Sequence, residues 1–178
     1  DGIDRLISIR DDNGNFVQKN AGKTRSTGIE LGVRYNLLEN LYVNYSGSYA
    51  THKYLSFFDN NVDYSNTDMQ TAPNYIANTT LTYKPLTNLL LAIEHEQVSK
   101  YNTSFEGQAI IGVDGSGNDI LGTSIYAGHH VFNFRANFEW KNFEIWGQAL
   151  NIFNKLYAVR ASYSRWDKAN TYSIGNPR

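Results

Sequence analysis

The chain has no cysteine, a single methionine and only three prolines in 178 residues. Without cysteine there is no disulfide framework and no thiolate metal site. Long apolar runs are also missing. The longest aliphatic stretch is Leu89 to Ile93, far short of the roughly 18 residues that a membrane helix needs. Any crossing of a bilayer would therefore be made by strands. The formal net charge is -1 at pH 7, which gives no electrostatic case for nucleic acid. No signal peptide is visible, because Asp1 opens a polar segment; an export signal is expected to be cleaved or to lie upstream.

What the chain does have is aromatic side chains on alternating strands. It carries 13 Tyr, 9 Phe and 3 Trp at a mean hydropathy of -0.48. The clearest stretch runs from Val131 to Leu156. Phe132, Phe134, Ala136, Phe138 and Trp140 share one parity, and Asn133, Arg135, Asn137 and Glu139 share the other. After the turn Lys141-Asn142, Phe143, Ile145, Gly147 and Ala149 alternate with Glu144, Trp146 and Gln148. Alternate side chains of a strand point to opposite faces, so this is a β-hairpin with one apolar and one polar face. A soluble core usually leans on Leu, Ile and Val. Tyr and Phe on polar-alternating strands suit a lipid interface, with polar groups facing a lumen.

The same period recurs along the chain. Ile3 to Arg10 reads as a short strand, followed by turn chemistry at Asp11-Asp12-Asn13-Gly14-Asn15. Further strands are expected over Phe16 to Asn36, with Asn20-Ala21-Gly22 as a bulge, and from Leu41 to about Phe57. Others are expected from Tyr75 to Tyr83, where Pro73 suits the start, and from Leu89 to about Asn102. Connections near 38–40, 85–88 and 141–142 are short; those near 58–72, 103–125 and 153–171 are long. Strict alternation of this kind is the habit of transmembrane barrels, with short turns on one rim and long loops on the other. Tyr172 begins a strand that the chain does not finish. The fold expected from the pattern is all-β, an antiparallel transmembrane β-barrel.

Five segments carry a family resemblance. Asn20 to Leu31 (NAGKTRSTGIEL) is similar to the NAG-x-x-x-x-G-[IV]-E-L segment of TonB-dependent outer-membrane receptors. Ala72-Pro73-Asn74-Tyr75, Tyr126-Ala127-Gly128-His129 with Phe132-Asn133-Phe134-Arg135, Asn151-Ile152-Phe153-Asn154-Lys155-Leu156-Tyr157-Ala158 and Gly175-Asn176-Pro177-Arg178 resemble further motifs of that family, in its order. Ile152 replaces the usual Leu and Asn154 the usual Asp. The resemblance implies that residues 1–178 are the C-terminal portion of one receptor barrel, without the plug domain and without the final strand. It implies a bacterial outer-membrane protein that is not an enzyme. It implies import of a scarce bulky nutrient, a ferric siderophore first among the candidates, energised through the TonB complex. Outer-membrane lipid would surround it. The competing expectation is a complete small barrel of about eight strands with a structural or adhesion role.

No cofactor, metal site or catalytic group is expected. Neighbours on a strand face opposite ways, so His129 and His130 cannot grip one ion from regular β-structure; His52 and His95 read as isolated. Asp114-Gly115-Ser116-Gly117-Asn118-Asp119 lacks the glycine and glutamate positions of a calcium loop, and reads as a loop tip. Glu30 with Arg34, and Arg135 with Glu139, read as a polar network in a lumen. Aromatics and arginine dominate binding hot spots. Tyr64, Phe105, Tyr126, Tyr163, Arg165 and Trp166, all in the long loops, are therefore the candidates for ligand contact.

Overall fold

The computed structural model describes residues 2–3, 6–10, 16–20, 22–59 and 61–177. They form seventeen strands: β1 (Gly2–Ile3), β2 (Leu6–Arg10), β3 (Phe16–Asn20), β4 (Lys23–Leu38), β5 (Leu41–Ser56), β6 (Phe58–Asp59), β7 (Val62–Asp63), β8 (Tyr75–Leu86), β9 (Leu89–Val98), β10 (Tyr101–Asn102), β11 (Ala109–Val113), β12 (Asp119–Gly122), β13 (Ile125–Tyr126), β14 (His129–Trp140), β15 (Phe143–Ala149), β16 (Ala158–Ser164) and β17 (Ala169–Ile174). There is no helix among the described residues. One antiparallel sheet, in the order β1-β4-β5-β8-β9-β14-β15, makes a wall, and the other strands are small two-stranded extensions of its long connections.

The wall is a meander whose turns sit where side-chain chemistry allows them. β4 and β5 join through Glu39-Asn40, β8 and β9 through Thr87-Asn88, and β14 and β15 through Lys141-Asn142. Lys141 takes a left-handed φ of 55°. Neighbouring turns are stapled together: Lys84 N donates to Asn40 O at 2.8 Å, and Asn88 Nδ2 donates to Glu139 O at 2.9 Å. β8 runs on to Leu86, further than the period alone indicates. Pro85 is tolerated there because the register shifts between Tyr83 and Leu86, so its missing N–H falls at an irregularity.

Cross-strand register sorts the side chains into two faces. Ile29, Leu31, Val33 and Tyr35 of β4 face Tyr49, Gly47, Tyr45 and Val43 of β5. The same row continues through Leu81 and Tyr83, then Leu91 and Ile93, then Phe134 and Phe138, to Ile145. The opposite face carries Glu30, Arg34, Asn44, Asn78, Glu94, Arg135 and Gln148. The polar face is the more enclosed, since Thr82, Ala92, His129 and Val131 are buried on it, against Ala77 on the apolar face. The apolar face is open, and Ile29 is 74% exposed. Polar side chains pair across the enclosed face. Arg135 bonds Glu94 of the next strand rather than Glu139 of its own, and Arg34 lies 4.3 Å over the Tyr42 ring.

Aromatic residues mark two levels on the apolar face. Tyr75 and Phe132 stand near the long-loop rim, and Tyr83, Trp140 and Phe143 near the short-turn rim. On β8 and β14 the two levels are roughly eight residues apart, or about 27 Å along a strand at ~3.4 Å per residue. With the usual tilt that is about 20 Å along a membrane normal, close to the apolar band of an outer-membrane barrel.

Three expectations need correction. The connection 153–171 is not a bare loop leading to an unfinished strand at Tyr172: Ala169–Ile174 folds back on Ala158–Ser164. The connection 103–125 likewise holds the hairpin β11-β12. The run from Phe16 is two strands, broken at Asn20–Gly22, where Gly22 takes a φ of 63° and its N–H is capped by Asn20 Oδ1 at 2.7 Å. The turn expected at 11–15 lies outside the described residues. The small closed barrel also finds no support. β1 pairs with β4 and β17 with β16, and among the described residues no ladder joins the first and last strands of the wall. The wall is an open arc.

A charge placed on the apolar face should be costly in proportion to its depth. Ile93→Lys, in the middle of β9, is expected to destabilise the bilayer-inserted full-length protein by about 2–4 kcal/mol, whereas Glu94→Lys on the opposite face should cost less. Urea titration of folding into lipid vesicles measures both, and equal costs would refute the face assignment.

Candidate ligand-binding site

The long connections share one rim, and side-chain hydrogen bonds knit them together. Water is available there, so regular ladders are no longer obligatory. Thr71 N donates to Asn102 O at 2.8 Å, which ties the 57–71 connection to the start of the next. Tyr163 N donates to Thr103 O at 3.0 Å, and Ile110 N donates to the Tyr163 hydroxyl at 2.8 Å. Asn170 Oδ1 accepts from both Thr103 Oγ1, at 2.6 Å, and Ser124 Oγ, at 2.9 Å. Lys168 reaches Asp119 at 3.0 Å. Hairpin β16-β17 is thus clamped on the β10–β13 connection along its length.

Two aromatic clusters anchor this assembly. In the first, Tyr54, Phe57, Tyr64 and Met69 are buried with Phe105 packed against them, and the Tyr64 and Phe105 rings lie 4.6 Å apart. In the second, Tyr101, Tyr126, Ala158 and Ala161 are buried. Ala158 N donates to the Tyr126 hydroxyl at 3.0 Å and Ala161 N donates to the Tyr101 hydroxyl at 2.8 Å. The Tyr126 hydroxyl also sits 3.0 Å from His129 Nδ1. With that phenol donating to Nδ1, the imidazole proton is assigned to Nε2, which faces Glu96 Oε1 at 3.6 Å.

Beside the first cluster lies a cavity of about 720 Å³. Tyr64 and Phe105 form one side, and Arg160, Tyr163 and Arg165 of β16 and its turn form another. Thr103, Ser104 and Gln108 line it from the middle connection, and Asp59, Asp167 and Tyr172 also belong to its lining. Arg165 Nη2 donates to Gln108 Oε1 at 2.8 Å. Burial holds the Tyr64 phenol above its ordinary range, with Arg165 opposing that rise and Asp59 adding to it. The cavity therefore offers aromatic faces, two guanidinium groups, two carboxylates and several hydroxyls, but no nucleophile placed beside a base. It is arranged to bind rather than to react.

Of the six residues singled out in the sequence, the fold brings Tyr64, Phe105, Tyr163 and Arg165 to this cavity. Tyr126 is buried in the second cluster and acts as an anchor. Trp166 is 61% exposed in the β16–β17 turn and does not line the cavity. Arg160 and Gln108 escaped the sequence reading. Arg160 alternates within a strand that the sequence pattern does not reveal, and Gln108 is an ordinary loop residue until Arg165 is placed beside it.

The histidines and the acidic loop tip are also resolved. His129 and His130 do face opposite ways. His95 is not isolated: its Nε2 lies 3.0 Å from His130 Nδ1, with the rings only 9° from parallel and 5.2 Å between centroids. Those values describe two nearly coplanar rings sharing one proton head to head. Their lone pairs do not converge on an ion, and no group of three or more metal-binding side chains occurs among the described residues. Asp114 Oδ1 accepts from Ser116 N and Asn118 N, both at 2.8 Å. The carboxylate closes its own turn, and those hydrogen bonds hold its pKa below the ordinary value.

A polar-lined, aromatic-banded arc with a loop-built cavity on one rim defines the wall of a large outer-membrane-type β-barrel. The family model described as TonB dependent receptor-like, beta-barrel matches residues 2–173, and the chain belongs to that family. It is an outer-membrane family of Gram-negative bacteria, made up of transporters rather than enzymes. Among solved structures, the ferric citrate transporter FecA in its unliganded form is 20% identical, with a TM-score of 0.65 over 86% of this chain and 23% of that one. The siderophore receptor PiuA from Acinetobacter baumannii is 14% identical, with a TM-score of 0.62 over 96% and 22%. The copper transporter OprC is 20% identical, with a TM-score of 0.61 over 87% and 21%. At these identities the likeness is one of fold, and the chain spans less than a quarter of each structure. No curated protein sequence matches the chain.

Two outcomes are expected from this geometry. Tyr126→Phe removes the acceptor of a buried N–H and should loosen hairpin β16-β17 by about 1–3 kcal/mol. Hydrogen exchange at the Ala158 amide measures this, with the amides of β8 and β9 unchanged. The Asp114 turn should respond to acid. Because the folded carboxyl titrates below its unfolded value, its contribution is complete above about pH 3.9 and is lost as pH falls through the lower folded pKa. Protection of the Ser116 and Asn118 amides, taken relative to the intrinsic exchange rate at each pH, should fall only in that acid window, and Asp114→Asn should remove this pH dependence.

Proposed function

We propose that the chain is the C-terminal portion of the barrel of a TonB-dependent receptor in the outer membrane of a Gram-negative bacterium. It serves the energised import of a ferric siderophore. The observation that carries the reading is the cavity at the long-loop rim, on the enclosed side of the arc, with Tyr64, Phe105, Tyr163, Arg160 and Arg165 around it. Aromatic faces and guanidinium groups suit a bulky, ring-bearing anionic complex. Two similar structures, a ferric citrate transporter and a siderophore receptor, support the same ligand class.

The open edges support membership of a larger barrel. Every residue of β4 from Arg25 to its end, and every residue of β15, is exposed. Unpaired backbone groups at hydrocarbon depth cost several kcal/mol each, so further strands must cover both edges. A wide barrel then has a lumen able to house a plug, and the TonB complex acts through that missing part.

In the full-length receptor, the double variant Arg160→Ala/Arg165→Ala should weaken binding of ferric siderophores at least tenfold. It should also abolish growth on them under iron limitation while leaving the amount of folded barrel unchanged. Isothermal titration against a panel of ferric catecholate, hydroxamate and carboxylate complexes, with haem, cobalamin and copper as the other arms, measures this. Binding of none of the iron complexes, or binding indifferent to the double variant, would overturn the reading.

A further inference from the structure

His129 Nε2 is buried with no hydrogen-bond partner among the described residues, and Glu96 Oε1, 3.6 Å away, is too far to serve as one. The other ring nitrogen is engaged. Nδ1 takes the Tyr126 hydroxyl at 3.0 Å, and the oxygen of that hydroxyl accepts the Ala158 N–H at 3.0 Å. A chain of contacts therefore runs from a carboxylate on the enclosed face of the wall, through an imidazole and a phenol, to the first residue of β16.

Arg160, one of the two guanidinium groups at the 720 Å³ cavity, stands two residues further on. The register of β16 against β17 shifts between Ala158 and Arg160, so the ladder alone does not fix this side chain. Two tyrosine hydroxyls bracket it instead: Tyr126 holds the Ala158 amide, and Tyr101 holds the Ala161 amide. Of these two anchors, the Tyr126 hydroxyl is the one bonded to an imidazole. The titratable groups facing His129 are Glu96 from β9, Tyr126 from β13, Tyr157 ahead of β16, and Lys155, which lines a cavity of about 430 Å³ with it. The Tyr157 ring lies 4.8 Å from the imidazole and is backed by Gly175, where an added Cβ would fall 2.2 Å from that ring. The imidazole is thus blocked on the side of Tyr157 and has a gap on the side of Glu96.

Histidine changes charge between about pH 5 and 8. Neutral, with its proton on Nε2, His129 accepts from Tyr126 and leaves the phenol oxygen to Ala158. Protonated, it has an N–H on both nitrogens and accepts nothing. Burial raises the Tyr126 phenol above its ordinary value, so it keeps its proton through this range and must turn it elsewhere. Its oxygen is then asked to accept from Nδ1 and from Ala158 together. The imidazolium meanwhile gains a carboxylate. A charge-assisted bond closes to about 2.7–2.9 Å, which draws the ring toward Glu96 and away from Tyr126.

We infer that His129 is a positioning residue whose charge sets the placement of Arg160. Neutral, it supports the Tyr126–Ala158 bond that fixes the start of β16; protonated, it turns to Glu96 and releases that bond. The bearing on ligand rests on the reading that the larger cavity is the binding site. A ligand that needs Arg160 in place binds the neutral form more tightly, so affinity is full at high pH and is lost as His129 takes up its proton. By reciprocity, binding expels that proton.

Hydrogen exchange on the full-length receptor without ligand tests this. Protection of the Ala158 amide, taken relative to the intrinsic rate at each pH, should fall about tenfold between about pH 7.5 and 5.5, while the Ala161 amide holds. His129→Gln, which does not titrate, should abolish that pH dependence, and Glu96→Gln should move the fall to lower pH. An Ala158 amide indifferent to pH, an equal fall at Ala161, or a pH dependence that survives His129→Gln would each overturn the inference. If His129→Gln does not fold, Glu96→Gln decides, because a fall at unchanged pH overturns it. If Ala158 responds as expected and no ferric complex binds in the titrations above, the transport reading fails alone.

Discussion

A strand that crosses hydrocarbon has no water to satisfy its backbone, so every N–H and C=O at that depth must find a partner in a neighbouring strand. This constraint explains most of the wall. It keeps β4, β5, β8, β9 and β14 long and paired along nearly their whole length. It moves the one strand proline to a register shift beside a turn. Because the ladder fixes the register, it also fixes the faces: a slip of one residue would carry Glu94 and Arg135 into the apolar side and Ile93 and Phe134 into the polar one. The ion pair between Glu94 and Arg135 and the Arg34–Tyr42 contact then satisfy groups that the ladder has already committed to the enclosed face.

At the rim the constraint relaxes, and a different economy takes over. Short strands persist there, but side chains make the connections between them. Tyr126 and Tyr101 each receive a backbone N–H from β16, and Asn170 gathers two hydroxyls with one oxygen. These bonds fix hairpin β16-β17 against the middle connection and so set the distance between Arg165 and the Tyr64–Phe105 pair. The binding surface is therefore held by the loops' own hydrogen bonds on a wall that is rigid for a different reason. That division suits a receptor, because loops can diversify for a ligand while the ladder that keeps the wall in the membrane is untouched. The charge pattern follows the same division. Carboxylates are kept to the enclosed face of the wall, whereas Arg25 and Lys53 stand on the open face at its long-loop end.

The sequence by itself determined the wall. Period-two alternation through Ile29–Tyr35, Leu41–Tyr49, Tyr75–Tyr83, Leu89–Ile93 and Phe132–Trp140 names both faces, because the pleat sends alternate side chains to opposite sides whatever the tertiary context. Alternating loop lengths assigned the rims, and ordered motifs placed the family. What only the tertiary structure decided lies in the connections. Hairpins β11-β12 and β16-β17 depend on contacts from distant parts of the chain, such as Tyr163 with Thr103 and Ile110, so no local period announces them. The division of the six candidates into four cavity residues, one anchor and one exposed tip was equally invisible, since a loop tyrosine reads the same whether its hydroxyl caps a backbone or faces a ligand. The pairing of His95 with His130 required the register between β9 and β14. Faces are a local property of the backbone, whereas sites are made by residues that the sequence keeps apart.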